Sequence, residues 1–357
     1  MNSSISSSEP GDPWRRFFAL LLACGAGLGL AVYLLLVIID PFDMLPLSPP
    51  LDRAPIATNA RFSFPALARS QRFDSAIFGT STSRELQPRV LDPLFGARFV
   101  NLAMNSATAY EQFRLMGLFA MHHRDAKNVI VGIDAVWCES ARTIEKFTPR
   151  PFPEWMYGGS RWRGFGHLFD LYTMEQAGRQ LAVLTGLRPA PYGRDGYTDF
   201  LPSDSQYDLA RARMHLRGGS IGPDPAIAGE AEPQVDAAEP SDLPGLPLLS
   251  EALSALPAVT RKLVYVVPYH ISGQPAAGSP QLERWRACKA ALARIVAAIP
   301  GAVGVDFMLP SPITREDANY WDRLHYRVGI GVRIARDLAK ASEGRFSDDD
   351  PDFATLK

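Results

Sequence analysis

Three residues of the chain have the types and the placement that nucleophilic catalysis requires. Ser81 follows an apolar run, in the stretch IFGTSTSREL at residues 77–86. Asp322 and His325 stand three residues apart in YWDRLHYR, directly before a segment of helical periodicity. A serine hydroxyl becomes a nucleophile when a base lies within hydrogen-bond reach and a third group orients that base. The pattern therefore predicts acyl transfer through Ser81, with His325 as general base and Asp322 as its orienting group.

Each of these residues also has an ordinary structural interpretation. Serine after a strand-end glycine often caps a helix, so Ser81 can be a cap, and Ser83 is then the second candidate nucleophile. His325 can be an interface histidine, and Asp322 can be an N-cap or a surface acid. We expect Asp134, which follows the apolar run VIVGI, to be a structural residue at a strand end. Catalysis by Ser81, Asp322 and His325 is the interpretation that their common placement favours.

The positions of these side chains depend on an alternating pattern of strands and helices. Short apolar runs predict strands at residues 74–79, 98–103, 128–134, 262–268 and 302–307. Amphipathic segments predict helices at 109–122, 281–299 and 328–341. This alternation is typical of an α/β domain with a mainly parallel sheet. Ligands of such sheets bind at the carboxyl ends of the strands, and polar residues follow all five predicted strands, among them Asn101, Asn105, Ser106 and His270.

The N-terminal region contains one segment that can span a bilayer. Residues 17–39 include 23 residues without a charged side chain, enough for about 35 Å of helix. A cleaved signal peptide would have a shorter apolar core and a small-residue cleavage site, so we expect an uncleaved anchor. Arg15 and Arg16 directly precede the span, which by the positive-inside rule leaves residues 1–16 in the cytoplasm and the rest outside.

The remaining regions are assigned from their composition. We expect residues 40–70 to be a juxtamembrane connector and residues 71–342 to be the α/β domain, with an insertion at 140–244. The part at 218–244 is acidic and rich in proline and glycine, which is the composition of a disordered linker. We expect the acidic tail at 343–357 to be disordered as well. The aromatic and arginine-rich stretch 150–165 is a substrate lid, the core of the insertion or a membrane contact.

Charge and cysteine content exclude some classes of protein. The net charge of −1 provides no basic field for a nucleic-acid partner. Cys138 and Cys288 fit neither a CxxC motif nor a zinc spacing, so neither a disulfide framework nor a metal site is implied. We expect no metal and no cofactor.

The order of the motifs resembles that of the SGNH (GDSL-like) hydrolases. The four blocks are IFGTSTSREL, NLAMNSAT about twenty residues later, VIVGID, and DRLHY before the final helix. An N-terminal span combined with an early serine and a late Asp-x-x-His is most similar to the membrane-anchored members that act on cell-envelope polymers, such as those of teichoic acid D-alanylation. The resemblance covers residues 70–138 and 260–342, and it does not extend to the insertion.

The resemblance implies a flavodoxin-like three-layer parallel sheet and a catalytic role for Ser81, Asp322 and His325. The oxyanion donors of the family are the N–H of the nucleophile, a glycine N–H in the second block and an asparagine side chain in the third. Here Ser106 stands near the second-block glycine, and Ile133 stands where the asparagine is expected. Isoleucine has no donor, and the loss of one donor typically lowers the rate on the order of a hundredfold.

Other polar residues can compensate for this departure. Thr80 stands where the GDS motif has an aspartate, which is a further departure from the family pattern. Asn105 and Asn101 are the nearest replacements for the missing donor, and Ser106 keeps its backbone N–H. Arg84 can serve an anionic group, and His270 can line the substrate pocket.

The sequence thus predicts a serine esterase or O-acyltransferase anchored in the bacterial inner membrane, with its catalytic domain on the periplasmic side. The expected substrates are acyl esters of envelope glycans or lipid-linked polymers, and the expected partners are a membrane-embedded acyltransferase or polymer-synthesis proteins. The alternative is a catalytically inactive SGNH-like scaffold or binding subunit of an envelope-polymer complex, which Thr80 and Ile133 favour. A serine peptidase is a third interpretation. It is less favoured, because the sequence shows no groove for an extended peptide substrate.

Overall fold

The computed structural model of the protein describes residues 13–218, 243–345 and 350–356. The chain divides into two compact units. The anchor unit consists of Met1–Arg53 and Ser160–Pro189, and the α/β unit consists of Ala54–Gly159 and Ala190–Lys357. The first twelve residues of the predicted cytoplasmic segment, and most of the predicted linker at 218–244, lie outside the described residues.

A six-stranded sheet forms the centre of the α/β unit. Its strands are β1 (Ser75–Phe78), β2 (Phe99–Asn101), β3 (Asn128–Ile133), β4 (Arg261–Val266), β5 (Ala302–Asp306) and β6 (Ala354–Thr355). The order across the sheet is β2-β1-β3-β4-β5-β6. Pairs among the first five strands are parallel, and β6 is antiparallel to β5. The predicted α/β class with a mainly parallel sheet is confirmed, and all five predicted strands are present.

Burial on both faces explains why these runs are almost continuously apolar. Every residue of β1 and β3 is buried. In the register, Ile77 lies beside Ile130, and Ile130 lies beside Leu263. Parallel strands that are covered by helices on both faces have this composition.

Nine α-helices occur in the described part of the chain. They are α1 (Pro13–Ile39), α2 (Ala60–Arg69), α3 (Pro88–Phe95), α4 (Ala109–His122), α5 (Leu171–Leu184), α6 (Leu209–Leu216), α7 (Gly245–Ser254), α8 (Pro280–Ala298) and α9 (Val328–Ser342). Local signals start several of them: Thr108 and Glu111 form a capping box at α4, and Ser279 caps α8 directly before Pro280. Such caps satisfy backbone N–H groups of the first turn. The three helices predicted in the α/β unit therefore begin within a residue of their expected positions.

The predicted connector at 40–70 is corrected in its second half, because residues 60–69 form α2 in the α/β unit. Pro65 lies inside this helix and has no N–H for the carbonyl of Arg61. The hydroxyl of Tyr157 donates to that carbonyl at 2.9 Å. Arg61 in turn forms a fully buried ion pair with Glu111 of α4, with a distance of 2.9 Å between Nε and Oε1. Long-range contacts thus stabilise α2, a helix that the sequence does not predict because it contains Pro65.

The predicted disordered tail at 343–357 is also corrected over residues 350–356. Residues 354 and 355 form β6 at the edge of the sheet. Phe353 is 2% exposed and lies 5.4 Å from Phe307 between ring centres. Asp352 forms an ion pair with Arg333 of α9. The acidic composition predicts disorder, but the tail also contains Phe353. The contact of Phe353 with Phe307 holds this part of the tail against the α/β unit.

Cys138 and Cys288 form a disulfide, contrary to the expectation that no disulfide is implied. They are 150 residues apart in the chain, and their Cα atoms are 5.7 Å apart, within the range that a disulfide bridges. Cys138 follows β3 and Cys288 lies in α8. The fold brings together two cysteines whose sequence spacing matches no short motif.

The anchor unit is built on α1, which is long and apolar enough to cross a membrane. Its first two-thirds are largely exposed, as a lipid-facing helix is. The last turns pack against residues 165–177 in a cluster whose buried members are Leu36, Ile39, Leu45, Leu168 and Ala177. Arg53 closes the end of α1, since its guanidinium donates to the carbonyls of Ile39 at 2.7 Å and Ile38 at 2.9 Å. The helix is compatible with a single-pass membrane anchor.

Candidate functional site

Ser81 lies in a 3₁₀ turn, Ser81–Ser83, directly after the carboxyl end of β1. Gly79 turns the chain out of the strand with φ 154°, and a Cβ at this position would collide with the side chain of Ser83. A Cβ at Gly132 of β3 would collide with the same side chain. Ligands of parallel sheets bind where the strand order reverses, which here is between β1 and β3. Two glycines therefore permit the close turn that brings Ser81 to this edge.

Ser81, His325 and Asp322 form one continuous line of hydrogen bonds. Ser81 Oγ is 3.0 Å from His325 Nε2. On the other side of the imidazole, His325 Nδ1 is 2.8 Å from Asp322 Oδ2. Ser81 and His325 are each 3% exposed. The structure thus brings together the three residues that sequence reasoning selected, although 244 positions separate the serine from the histidine.

The charge of Asp322 determines which nitrogen of His325 carries the proton. Burial alone would raise the pKa of Asp322, but the charge of His325 and hydrogen bonds from its ring and from two backbone N–H groups keep the pKa below its ordinary value. Those N–H groups belong to Leu324 and His325, at 2.7 and 2.8 Å from Oδ1. An ionised carboxylate only accepts hydrogen bonds. His325 Nδ1 therefore donates to Asp322, and Nε2 is left to accept the hydroxyl proton of Ser81.

A short closed loop holds His325 in this position. Tyr320 and Tyr326 pair across the loop in an antiparallel bridge, and the N–H of Trp321 donates to the carbonyl of His325 at 2.9 Å. The hydroxyl of Tyr320 donates to the carbonyl of Pro268, after β4, at 2.8 Å. Both tyrosines are buried. The end of β4 thereby supports the loop that carries the imidazole.

Polar side chains also hold the turn that carries Ser81. Asp134, after β3, accepts hydrogen bonds from the hydroxyls of Thr80 and Thr82. The amide of Asn101, at the end of β2, donates to the carbonyls of Ser83, Arg84 and Leu86 at 3.3, 3.2 and 2.9 Å. Asn101 is therefore corrected from a candidate oxyanion donor to a support of the turn, because its donors are already engaged.

Ser83 is not placed as a second nucleophile. It is completely buried, and its Oγ accepts a hydrogen bond from the hydroxyl of Tyr265 at 2.8 Å. His270 is likewise corrected as a pocket residue. Its Nδ1 lies 2.8 Å from Ser272 Oγ, and its Nε2 lies 3.3 Å from Asp317. These contacts hold the loop after β4, and none of the described ones reaches Ser81.

Asn105, Ser106 and Arg84 lie on the turn after β2 and on the turn after β1. Ser106, which the resemblance places near the second-block glycine, has φ 50°, a left-handed conformation that favours glycine. No hydrogen bond from the N–H of Ser106 occurs among the described residues. Arg84 Nη1 donates to Asn105 Oδ1 at 2.6 Å. Ile133, where the family pattern has asparagine, is fully buried in β3 and has no polar atom in its side chain.

Two aromatic residues of the insertion lie beside His325 and Arg84, and sequence reasoning missed both. Phe200 meets the imidazole edge-on, with 5.6 Å between ring centres. The guanidinium of Arg84 lies 4.8 Å from the centre of the Phe200 ring and 5.6 Å from that of Tyr192. The aromatic richness of the insertion was the available signal. The insertion thus contributes an apolar wall, and the guanidinium of Arg84 packs against the rings of this wall.

Glu85 is a third residue that sequence reasoning missed. It is 2% exposed, and neither carboxyl oxygen has a hydrogen-bond partner among the described residues. Burial, together with the negative charge of Asp199, raises the pKa of Glu85 to about 7, although Arg84 and His325 act in the opposite direction. The site therefore contains a carboxyl that changes charge near neutral pH.

The arrangement combines a hydrogen-bonded serine hydroxyl, an imidazole with a defined tautomer and an anionic orienting group in a buried position. Such a set can transfer an acyl group from an ester to water or to another hydroxyl. Backbone N–H groups and the side-chain amide of Asn105 are the candidate donors for an oxyanion, since Ile133 has no donor and the amide of Asn101 already donates to three carbonyls. Comparison with known proteins adds no family to this description, because no protein-family model matches the chain and no curated protein is significantly similar to it.

Proposed function

We propose that this protein is a membrane-anchored serine esterase or O-acyltransferase of the SGNH type. The observation that carries the proposal is the hydrogen-bonded line from Ser81 through His325 to Asp322, at 3.0 and 2.8 Å. The strand order supports it as well, because 2-1-3-4-5 is the order of flavodoxin-like doubly wound sheets. The serine stands at the point in that sheet where ligands bind.

In the proposed reaction, Ser81 Oγ attacks the carbonyl carbon of an acyl ester while His325 Nε2 accepts the hydroxyl proton. The tetrahedral intermediate collapses, and His325 returns the proton to the leaving alcohol. An acyl-enzyme on Ser81 remains. Water or a sugar hydroxyl then gives its proton to His325 and attacks the acyl carbonyl, which releases Ser81. The negative charge of Asp322 stabilises the imidazolium in both halves of the reaction.

The oxyanion of each tetrahedral intermediate needs donors that are already oriented. We assign this role to the backbone N–H groups of Ser81 and Ser106. The left-handed backbone of Ser106 supports the assignment, because glycine adopts this conformation most readily and the family pattern has a glycine near this position. Arg84, held by Asn105, adds a positive charge beside the wall of Phe200 and favours an anionic substrate.

A second candidate function is that of a scaffold or binding subunit of an envelope-polymer complex. Ile133 favours it, because this residue is buried and offers no donor where the family pattern has an asparagine. A scaffold would bind acylated glycan or partner proteins without turning over an ester. The two functions differ in whether Ser81 is chemically activated.

The proposed location is the outer side of a bacterial inner membrane. The disulfide between Cys138 and Cys288 supports this side, because disulfides persist in oxidising compartments such as the periplasm. Arg15 and Arg16 before the span favour the same orientation. An enzyme held beside the bilayer suits acylated envelope glycans or lipid-linked polymers as substrates, with membrane-embedded acyltransferases or polymer-synthesis proteins as partners.

The test is ester turnover by the full chain in detergent, with p-nitrophenyl acetate as the acyl donor. We expect p-nitrophenol release that falls by about 10³-fold or more in Ser81→Ala and in His325→Ala. Adding a chito-oligosaccharide acceptor distinguishes transfer from hydrolysis, because transfer yields an acetylated sugar at the expense of acetate. Binding of acetylated oligosaccharide without turnover by the folded parent would favour the scaffold.

A further inference from the structure

The anchor unit exposes large apolar side chains that do not belong to α1. Trp162, Phe169, Leu171, Leu181 and Leu187 have exposed fractions of 61, 56, 86, 45 and 79%. All five lie within residues 160–189. Single exposed apolar residues are common, but a concentration of large ones in thirty residues marks an interaction surface.

One helix of this segment has an apolar side and a polar side. Leu171, Met174 and Leu181 of α5 are three and seven residues apart, so they line one side of the helix. Glu175, one turn after Leu171, lies at the border of this side, and Arg179 lies further around the helix, joined to Glu175 by an ion pair of 2.7 Å. A helix with this pattern suits a boundary between water and an apolar phase.

The apolar side of α5 adjoins α1. Met174 packs against the cluster that contains Leu36 and Ala177. Phe169 stacks on Tyr33 of α1, with 5.6 Å between ring centres. The exposed leucines of α5 therefore continue the apolar surface of the spanning helix.

The level of this contact along α1 identifies the apolar phase. The apolar span starts at residue 17, and a hydrocarbon core of about 30 Å takes up about 20 residues of helix. The hydrocarbon core then ends near Leu36, and the contacts of α1 with α5 fall at the same level, at residues 32–39. Aromatic side chains are enriched at this boundary, and Trp162, Phe165 and Phe169 lie in the contacting segment.

The charges of the segment suit lipid headgroups. Residues 160–189 contain four arginines, Arg161, Arg163, Arg179 and Arg188, against two acids, Asp170 and Glu175. Asp170 is occupied as the N-cap of α5, where it accepts from the N–H of Thr173 at 2.8 Å. An apolar face with accompanying arginines binds the surface of membranes that contain anionic lipid.

We propose that residues 160–189 form a second membrane contact, an interfacial segment that lies in the headgroup region beside the end of α1. Leu171 and Leu181 enter the acyl boundary, while Arg179 faces the headgroups and water. The occupant of this surface is lipid, and the proposal is independent of any activity at Ser81.

Site-directed spin labelling of the full chain in lipid nanodiscs tests this. Cys24 is the free cysteine of the described residues, and the other two cysteines form the disulfide, so Cys24→Ser provides the background. Nitroxides are placed through Leu171→Cys and Leu181→Cys, with Arg179→Cys as the matched control on the same helix but away from its apolar side. Leu28→Cys, in the exposed middle of α1, reports whether α1 itself is in lipid. The discs contain phosphatidylethanolamine and phosphatidylglycerol.

Collision rates with oxygen and with a water-soluble nickel chelate give the depth of each label. We expect Leu171→Cys and Leu181→Cys to collide several-fold more with oxygen than with nickel, as Leu28→Cys does, and Arg179→Cys to show the reverse. Nickel access at Leu171 equal to that at Arg179 would overturn the proposal. So would protection of Leu171 from both reagents, which would indicate a protein partner, or nickel access at Leu28, which would remove α1 from the bilayer.

Discussion

At the scale of single residues, the proposed acyl transfer depends on the charge of Asp322. Its pKa lies below the ordinary value, because the hydrogen bonds and the charge of His325 outweigh the cost of burial. The carboxylate is therefore ionised throughout the neutral range, and it holds the proton of His325 on Nδ1. Removing this charge tests whether the tautomer matters.

We expect Asp322→Asn to lower kcat for ester hydrolysis by about 10⁴-fold. The amide can donate to Nδ1, which places the imidazole proton on Nε2 and leaves no acceptor for the hydroxyl of Ser81. Steady-state kinetics with p-nitrophenyl acetate measure the change, and unaltered thermal unfolding shows that the fold is intact. A rate within tenfold of the parent would exclude a tautomer-setting role for Asp322.

Glu85 makes the folding stability depend on pH. Its pKa in the folded protein is about 7, raised from 4.5, so folding favours the protonated form. The stabilisation is complete below pH 4.5 and is lost as the pH rises through 7, with a total change of roughly 3 kcal/mol.

Glu85→Gln should remove this part of the pH dependence, because the amide keeps the shape of the acid and cannot ionise. Urea unfolding at pH 5 and pH 8 measures the free energy of unfolding for the parent and the variant. We expect the variant to gain about 2.5 kcal/mol relative to the parent between pH 5 and pH 8. Glu251→Gln, at an exposed position of α7, controls for the loss of one carboxylate. Parallel pH curves for the parent and Glu85→Gln would contradict the expectation.

The residues of the site differ in how far the sequence could reveal them. Ser81, Asp322 and His325 stand beside recognisable strand and helix boundaries, so local pattern and order were enough to select them. Asn101 has the correct type and position for a donor, but the carbonyls that occupy its amide become neighbours only when the turn forms. The aromatic composition of the insertion hinted at a wall but did not single out Phe200, and Glu85 carries no local signal, because the roles of both arise from contacts between distant segments.

At the scale of elements, the strands were predictable and the edges of the domain were not. The buried strands are apolar on both faces, which makes them visible in the sequence. The helix α2 contains Pro65, and β6 follows a run of acids, so local propensity opposes both. They form because the buried pair of Arg61 and Glu111 and the side chain of Phe353 supply long-range contacts.

The anchoring role of Phe353 predicts a loss of stability when its ring is removed. We expect Phe353→Ala to lower the free energy of unfolding by about 3 kcal/mol, since the ring is 2% exposed and packs on Phe307. Val259→Ala truncates an apolar side chain that is 86% exposed, and it should change stability by less than about 0.5 kcal/mol. Urea denaturation measures both. Equal effects of the two variants would mean that β6 is not anchored by Phe353.

At the scale of the whole molecule, the disulfide bears on the compartment of the α/β unit, because disulfides persist in oxidising surroundings. It closes a loop of 150 residues between Cys138 and Cys288. In the chain-entropy account, the stabilisation by a disulfide increases with the length of the loop that it closes. Cysteine spacing alone could not reveal it, because only the fold brings the end of β3 to α8.

We expect Cys138→Ser and Cys288→Ser each to lower the free energy of unfolding by about 4 kcal/mol. Cys24→Ser, at the free cysteine in α1, serves as the control and should leave stability unchanged. In intact cells, a maleimide reagent should modify Cys138 and Cys288 only after reduction and denaturation. Modification without reduction would place the α/β unit in a reducing compartment.

The central claim is that Ser81 is an activated nucleophile, and covalent labelling tests it most directly. The full chain in detergent is treated with a fluorophosphonate, which loses fluoride when a serine oxygen attacks its phosphorus, and the intact mass is measured. We predict one added phosphonate on the parent and on Ser83→Ala, because Ser83 faces Tyr265, and none on Ser81→Ala or His325→Ala. Absence of labelling in the folded parent, or labelling that persists in Ser81→Ala, would contradict the account.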